Sequence, residues 1–306
     1  MGKYKTRSSE KVLDKMINNT PVIMITGSRQ VGKTTLLNHL AEKNNKKINY
    51  VSLDNLIIRN QAIEDPELFL RTFEVPLIID EFQYAPELLT YIKIKVDEAR
   101  KNEMFGTGEK VGTLYYLTGS QCFQTMENVS ESLAGRISIL DLYGFSTREI
   151  EEKDEKIFIP DINLLKEKDV IEHKTVNKIY ERIINGSYPE VVNNNGVNRE
   201  QFYESYIRTY IERDVRQLVN IKDEIKFIKF ISSIAARTAQ EYNANEIANE
   251  IGVDSKTIDG WVSILKNTNI IYMLQAYSNN NLKKAIKRPK IYFMDTRFGL
   301  LFNRIF

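Results

Sequence analysis

The sequence is poor in the residues that cross-link small folds or bind transition metals. It contains one cysteine, Cys122, and two histidines, His39 and His173. A single cysteine excludes an internal disulfide framework and is typical of a reducing compartment, so we expect a cytoplasmic protein. One cysteine and two histidines also fall short of the four ligands of a structural zinc site.

Long apolar runs and an excess of one charge are also missing. No run approaches the ~18 to 20 apolar residues that span a bilayer, which predicts no membrane partner. The 43 Lys+Arg against 41 Asp+Glu give a formal net charge of +2, so no overall field marks a nucleic-acid or membrane partner. Apolar residues, by contrast, make up 42% of the 306 residues, too many for a disordered chain.

The first 145 residues alternate apolar strand-like runs with helical patterns. This alternation predicts an α/β domain in three layers with a parallel sheet. The predicted strands are residues 22–26, 48–53, 76–80, 113–118 and 137–142. The predicted helices between them are residues 36–43, 66–73 and 86–100.

The character of the sequence then changes. Residues 148–169 are dense in charge and read as a linker, and residues 175–240 show mostly helical patterns. Residues 244–265 have the spacing of a helix-turn-helix, followed by the two strand-like runs of a wing. We therefore predict domains at residues 1–147, 148–240 and 241–306, the second mainly helical and the third a winged helix.

The strongest chemical signal is GSRQVGKT at residues 27–34, which satisfies the P-loop pattern between a strand and a helix. Two glycines let the backbone turn tightly, so that N–H groups converge on phosphate oxygens at a helix N-terminus. Lys33 would reach the β- and γ-phosphates, and the Thr34 hydroxyl would be a Mg²⁺ ligand. The predicted nucleotide contacts are Gly27, Ser28, Arg29, Gln30, Val31, Gly32, Lys33, Thr34 and Thr35.

Two carboxylates, Asp80 and Glu81, end the apolar run VPLIIDEFQ. Together with a P-loop, Asp80 is predicted to hold Mg²⁺ through water. Glu81 is predicted to orient and deprotonate an attacking water, which favours hydrolysis over transfer to a small molecule.

Two further residues complete the predicted catalytic set with Lys33 and Glu81. Ser120 ends another strand in LTGSQ and could contact the γ-phosphate or the water, or instead cap the next helix. Arg136, in SLAGR, could neutralise γ-phosphate charge in its own subunit or across an interface, or form a plain surface salt bridge.

The combination of GSRQVGKTT, IIDEFQ, LTGSQ, SLAGR and DLYGFSTREI resembles the AAA+-type P-loop ATPases of bacteria and archaea that carry a C-terminal domain of unknown function. The likeness continues in GSYPEVV, YIERDV and RPKIYFMDT and so covers nearly the whole chain. The resemblance implies that the protein binds ATP with Mg²⁺. It matches Lys33 and Thr34 to the Walker A motif and Asp80 and Glu81 to the Walker B motif. It also places Ser120 at the sensor-1 position.

The sequence departs from this family at two points. Members usually read Asp-Thr-Gly where this chain has Asp295, Thr296 and Arg297. They also usually continue into a nuclease-like half, so we expect either a naturally short form or a missing C-terminal module.

The helix-turn-helix segment gives a divided signal for DNA. Its second helix presents Lys256, Thr257, Asp259 and Gly260, and the acids Asp254 and Asp259 would repel phosphate. The last 31 residues carry seven basic side chains and one acid, so Lys283, Lys284, Lys287, Arg288 and Lys290 could form a basic wing. A purely structural winged helix is the alternative.

The leading hypothesis is an ATP-hydrolysing switch or motor whose C-terminal domain couples nucleotide state to a partner. An ATP-responsive DNA-binding regulator is the alternative, and a kinase is disfavoured because no acceptor base is visible. ATP and ADP are the expected ligands, while the sequence leaves a protein partner and homo-oligomerisation open.

If the basic segment is exposed, the protein should bind duplex DNA weakly and different duplexes alike. Neutralising about three to five phosphates gives a log–log salt slope near −3 to −4.5, measurable by fluorescence anisotropy. Replacing Lys283, Lys284 and Lys287 with Ala should flatten it by up to about three units. No salt-dependent binding at low ionic strength would make the segment structural, and a steep preference for one duplex would require base readout.

Overall fold

The computed structural model divides the chain into two compact units. The sheet unit comprises Ser9–Tyr143 with Asn267–Asn269, and the helical unit comprises Met1–Ser8, Gly144–Lys266 and Ile270–Phe306. The structure describes residues 4–17, 19–43, 47–106, 108, 110–119, 132–154, 159–163, 174–194, 196–210, 224–277 and 287–303. The predicted site residue Ser120 and the basic Lys283 and Lys284 lie outside these ranges.

The sheet unit alternates strands with helices. In chain order its described elements are α1 (Glu10–Ile17), β1 (Val22–Thr26), α2 (Lys33–Lys43), β2 (Asn49–Ser52), α3 (Leu56–Glu64), α4 (Pro66–Thr72), β3 (Leu77–Asp80), α5 (Leu88–Met104), β4 (Tyr115–Gly119) and β5 (Ile137–Asp141). A short 3₁₀ turn, Phe82–Tyr84, follows β3.

The five strands form one parallel sheet in the order β2-β3-β4-β1-β5. The three inner strands are buried along their whole length, whereas β2 and β5 at the edges are partly exposed. Parallel strands covered on both faces need continuous apolar runs, which explains VIMIT and LIID. The predicted α/β fold of the P-loop NTPase type is confirmed.

All five predicted strands are present, with ends shifted by at most two residues. The sequence patterns missed α1 and α3. The apolar residues of α3 do not mark a buried face, because Leu56 and Ile57 are exposed. The start of α3 is set by its N-cap, Asn55. The Asn55 side chain accepts hydrogen bonds from the N–H groups of Ile57 and Ile58 at 3.0 and 3.4 Å.

The helical unit is mainly α-helical, as predicted. Its described elements are α6 (Thr147–Ile150), α7 (Val176–Asn185), α8 (Pro189–Asn193), α9 (Arg199–Thr209), α10 (Glu224–Ala236), α11 (Ala244–Ile251), α12 (Ser255–Asn267), β6 (Ile271–Leu274), β7 (Lys290–Phe293) and α13 (Thr296–Asn303). Its first turn, α6, lies in the stretch predicted to be a linker. Division of this unit at residue 240 stays a prediction. No helix among the described residues is long and apolar enough to cross a bilayer.

Helices α11 and α12 lie at the predicted helix-turn-helix. Gly252 ends α11 in a left-handed conformation with φ 74°, and Asp254 accepts hydrogen bonds from the Thr257 N–H and hydroxyl, both at 2.8 Å. Strands β6 and β7 follow as an antiparallel pair. Asp259 accepts a hydrogen bond from the Tyr242 hydroxyl at 2.6 Å, so this acid is engaged within the module.

A buried carboxylate, Asp295, joins three parts of the helical unit by hydrogen bonds. Its Oδ2 accepts hydrogen bonds from the N–H and hydroxyl of Ser187, both at 2.6 Å, and from the Tyr203 hydroxyl at 3.1 Å. Its Oδ1 accepts from the N–H groups of Arg297 and Phe298 at the start of α13, at 2.9 and 3.4 Å. Burial, followed by the Asp295 carboxylate, raises the pKa of Tyr203.

Asp295→Asn should therefore lower the free energy of unfolding of the helical unit. The amide nitrogen cannot accept hydrogen bonds, so at least one buried donor loses its partner, at a cost of about 2–5 kcal/mol. Urea unfolding followed by circular dichroism measures this loss, with Asp161→Asn at an exposed position of the same unit as the control. Equal unfolding midpoints for the two variants would contradict a central role for Asp295.

Candidate nucleotide-binding site

The P-loop follows β1 and passes directly into α2. Gly27, Gln30 and Gly32 all have positive φ, at 145°, 59° and 94°. A Cβ on Gly27 would lie 2.2 Å from the carbonyl oxygen of Leu142, so only glycine fits there. The loop thus lies at the carboxyl edge of the sheet, where the N-terminus of α2 favours an anion.

The ammonium group of Lys33 is held against this loop. The residue is only 8% exposed, and its Nζ donates hydrogen bonds to the carbonyl oxygens of Gly27 and Ser28, both at 3.0 Å. Its positive charge is therefore concentrated where the loop curves. A buried cation beside converging N–H groups suits polyphosphate recognition.

The two predicted metal ligands, Thr34 and Asp80, lie in contact at the end of β3. The Thr34 hydroxyl donates to Asp80 Oδ1 and Oδ2 at 3.2 and 3.1 Å, although the two residues are 46 positions apart. Thr118 of β4 donates to Oδ1, and the Tyr50 hydroxyl of β2 donates to Oδ2 at 2.8 Å. Mg²⁺ prefers carboxylate, hydroxyl and phosphate oxygens, so Thr34 and Asp80 fit a Mg²⁺–nucleotide complex.

Glu81 follows in an uncommon backbone conformation. Its φ of 54° and ψ of 43° are left-handed, which turns the chain sharply after β3 into the 3₁₀ turn. The Glu81 carboxylate accepts a hydrogen bond from the Gln83 side-chain amide. This conformation separates the directions of the two neighbouring acids, so that Asp80 is buried and Glu81 half-buried.

Comparison with known families agrees with this geometry. Residues 19–151 match the family described as AAA domain, and residues 176–302 match a domain of unknown function. The part of the chain that matches this family, residues 19–151, is referred to as the AAA domain.

Two curated mycobacterial relatives match along almost the whole chain. They are the uncharacterized proteins Mb2031c of Mycobacterium bovis and Rv2008c of Mycobacterium tuberculosis, each 24% identical over 295 residues. The match covers 96% of this chain and 58% of each relative, so the chain spans less than two thirds of their length.

Several solved structures are similar at a low level. The RuvB Holliday junction branch migration motor of Thermotoga maritima has a TM-score of 0.41 and 15% identity, covering 88% of this chain and 89% of that chain. The ORC2 protein of Aeropyrum pernix has a TM-score of 0.41 and 15% identity, covering 94% and 86%. Similarity at this level says nothing about what this chain does.

Within the AAA domain, the structure does not bring Arg136 to the P-loop. Arg136 precedes β5, and its carbonyl oxygen accepts a hydrogen bond from the Val22 N–H at the start of β1. The length of β1, about 16 Å, separates that point from the P-loop. Its guanidinium donates to both Asp97 carboxylate oxygens, at 2.6 and 3.0 Å. The predicted contact with phosphate in the same molecule is therefore wrong, and the salt bridge is present. A role across an interface stays a prediction.

The remaining predicted nucleotide contacts differ in exposure. Ser28 and Val31 are buried, Arg29 is half-buried, and Gln30 and Thr35 are exposed. The loop therefore packs Ser28 and Val31 inward, while Gln30 and Thr35 face solvent.

Two polar residues of the site were missed by the sequence patterns. Gln83, two positions after Glu81, also lies against the end of β4, since a Cβ on Gly119 would come within 2.4 Å of its side-chain oxygen.

Tyr50 lies in the half-exposed edge strand β2, where a tyrosine normally indicates only strand propensity. Burial, then the Asp80 carboxylate, raises the pKa of Tyr50 to about 12, so its hydroxyl keeps its proton at neutral pH.

Lys33→Ala should weaken nucleotide binding. The change removes a charge-assisted phosphate contact worth roughly 1.5–3 kcal/mol, or more than tenfold in affinity. Titration with a fluorescent ATP analogue measures this loss, and Lys43→Ala in the last turn of the same helix is the matched control. Unchanged affinity in a folded Lys33→Ala protein would contradict the assignment.

Proposed function

We propose that the AAA domain binds ATP with Mg²⁺ and hydrolyses it. The observation that carries this proposal is the convergence of Lys33, Thr34 and Asp80 at the carboxyl edge of the sheet. Lys33 would bind the β- and γ-phosphates, while Thr34 and Asp80 would hold the metal, directly and through water. When bound, Mg²⁺ would neutralise charge on the phosphate oxygens.

Glu81 would act on the water rather than on the nucleotide. Glu81 is half-buried, follows the metal-binding Asp80 in the chain after a left-handed turn, and accepts a hydrogen bond from the Gln83 side chain. A fixed carboxylate of this kind can orient a water molecule and accept its proton. Ser120, which lies outside the described residues, keeps its predicted role beside the γ-phosphate.

We further propose that hydrolysis drives a switch or motor in which the helical unit responds to nucleotide state. The chain itself supports this coupling. In the sheet unit, the Leu142 carbonyl lies against Gly27 of the P-loop. Three residues later, in the helical unit, the Phe145 N–H donates to the Ser187 carbonyl at 2.8 Å, and Ser187 donates to Asp295. A shift of the loop would therefore be transmitted along a very short segment.

DNA binding remains the alternative role for the helical unit. Lys287, Arg288 and Lys290 are exposed, which favours contact with phosphates. Asp254 and Asp259 both make hydrogen bonds on or beside α12, which disfavours base readout by that helix.

Glu81→Gln should greatly slow turnover while ATP still binds. The amide keeps the shape and can still accept from Gln83, but it cannot take a proton, so turnover should fall roughly 10²- to 10⁴-fold. Phosphate release and analogue binding are measured in parallel, with the exposed Glu87→Gln as the control. Equal losses of binding and turnover would make Glu81 a structural residue.

A further inference from the structure

The carboxylate of Asp80 is held from both sides of its strand. Strand β3 lies between β2 and β4, and each neighbour supplies one hydroxyl donor. Tyr50 of β2 donates to Oδ2 at 2.8 Å, and Thr118 of β4 donates to Oδ1. Because each donor takes a different oxygen, the two together oppose rotation of the carboxylate about its terminal bond.

The strand register explains why a tyrosine is needed on the β2 side. Ser52, not Tyr50, pairs directly with Asp80, and Tyr50 pairs with Ile78 two positions earlier. Side chains two positions apart share a face of the sheet, so a long side chain at Tyr50 can reach along β3 to its end. The residue is 47% exposed, so burial of the ring does not explain its position by itself.

We propose that Tyr50 is a positioning residue for the metal, which sets the Mg²⁺ affinity of the nucleotide complex by fixing the Asp80 carboxylate. This inference rests on the proposed function and adds to it a residue outside both the P-loop and the acidic pair. A carboxylate offers about four acceptor sites. Tyr50 and Thr118 take one on each oxygen. The remaining sites accept from the Thr34 hydroxyl, and metal-bound water would take them when Thr34 binds Mg²⁺ instead.

Partners of this kind typically change metal affinity by 10- to 100-fold when they are removed. Tyr50→Phe removes only the hydroxyl and keeps a ring with high strand propensity, so the variant should fold. Without the donor, Asp80 can rotate away from the orientation that suits the metal. The loss should therefore appear as weaker Mg²⁺ binding and not as weaker contact with the phosphates.

The test uses the full chain and a fluorescent, non-hydrolysable ATP analogue titrated at a series of Mg²⁺ concentrations and in excess EDTA. For Tyr50→Phe we expect the Mg²⁺ concentration at half-saturation to rise about tenfold or more, with unchanged affinity in EDTA. Turnover at saturating Mg²⁺ should return close to that of the unmodified protein. Thr118→Val should shift Mg²⁺ half-saturation in the same direction, and Tyr91→Phe in α5 is the matched control.

Four results would overturn the inference. If Tyr50→Phe lowers the unfolding midpoint but leaves the Mg²⁺ half-saturation unchanged, the hydrogen bond from Tyr50 only stabilises the pairing of β2 with β3. An equal loss of affinity in EDTA would make it a nucleotide contact. If the unmodified protein binds the analogue equally with and without Mg²⁺ and releases no phosphate, the proposed function itself fails. If the unmodified protein needs Mg²⁺ and releases phosphate, but Tyr50→Phe has the same Mg²⁺ half-saturation, then only the role of Tyr50 is wrong.

Discussion

The site depends on one carboxylate, Asp80, accepting hydrogen bonds at the end of the buried strand β3. A largely buried acid is costly unless donors satisfy it, and here three hydroxyl groups do so. Those donors come from β2, β4 and the first turn of α2. The same interactions therefore fix the edge of the sheet and bring the P-loop helix against it.

The P-loop has a second constraint on its other side. Gly27 approaches the Leu142 carbonyl so closely that no side chain fits, which couples the loop to the end of β5. Just beyond, Gly144 and Phe145 enter the hydrogen-bonded region of the helical unit around Ser187 and Asp295. The chain therefore passes within three residues from the P-loop contact of one unit into the polar cluster of the other.

Much of the AAA domain could be predicted because its signals are local. The apolar runs of β1 and β3 are long enough to mark buried parallel strands, and GSRQVGKT carries its own turn chemistry. The pairing of Arg136 with Asp97 could not be predicted, because it depends on how α5 packs beside the sheet. Its position directly before a parallel strand did place it at the amino edge of the sheet, away from the P-loop. Tyr50 could not be found either, since it reaches Asp80 across a strand pairing that only the folded sheet supplies. Gln83 lies only two positions from Glu81, but their contact depends on the left-handed turn at Glu81, which the sequence pattern did not reveal.

The sequence by itself determined the strand-to-helix P-loop, the acidic pair after β3, and the helical character of the second unit. These follow from backbone geometry and apolar periodicity, which act over a few residues. Only the tertiary structure decided which hydroxyls surround Asp80, that Arg136 pairs with Asp97, and that Asp295 joins Ser187, Tyr203 and the start of α13. Those contacts link residues from 30 to 108 positions apart, apart from the turn at α13 itself, so strand order and helix packing select them.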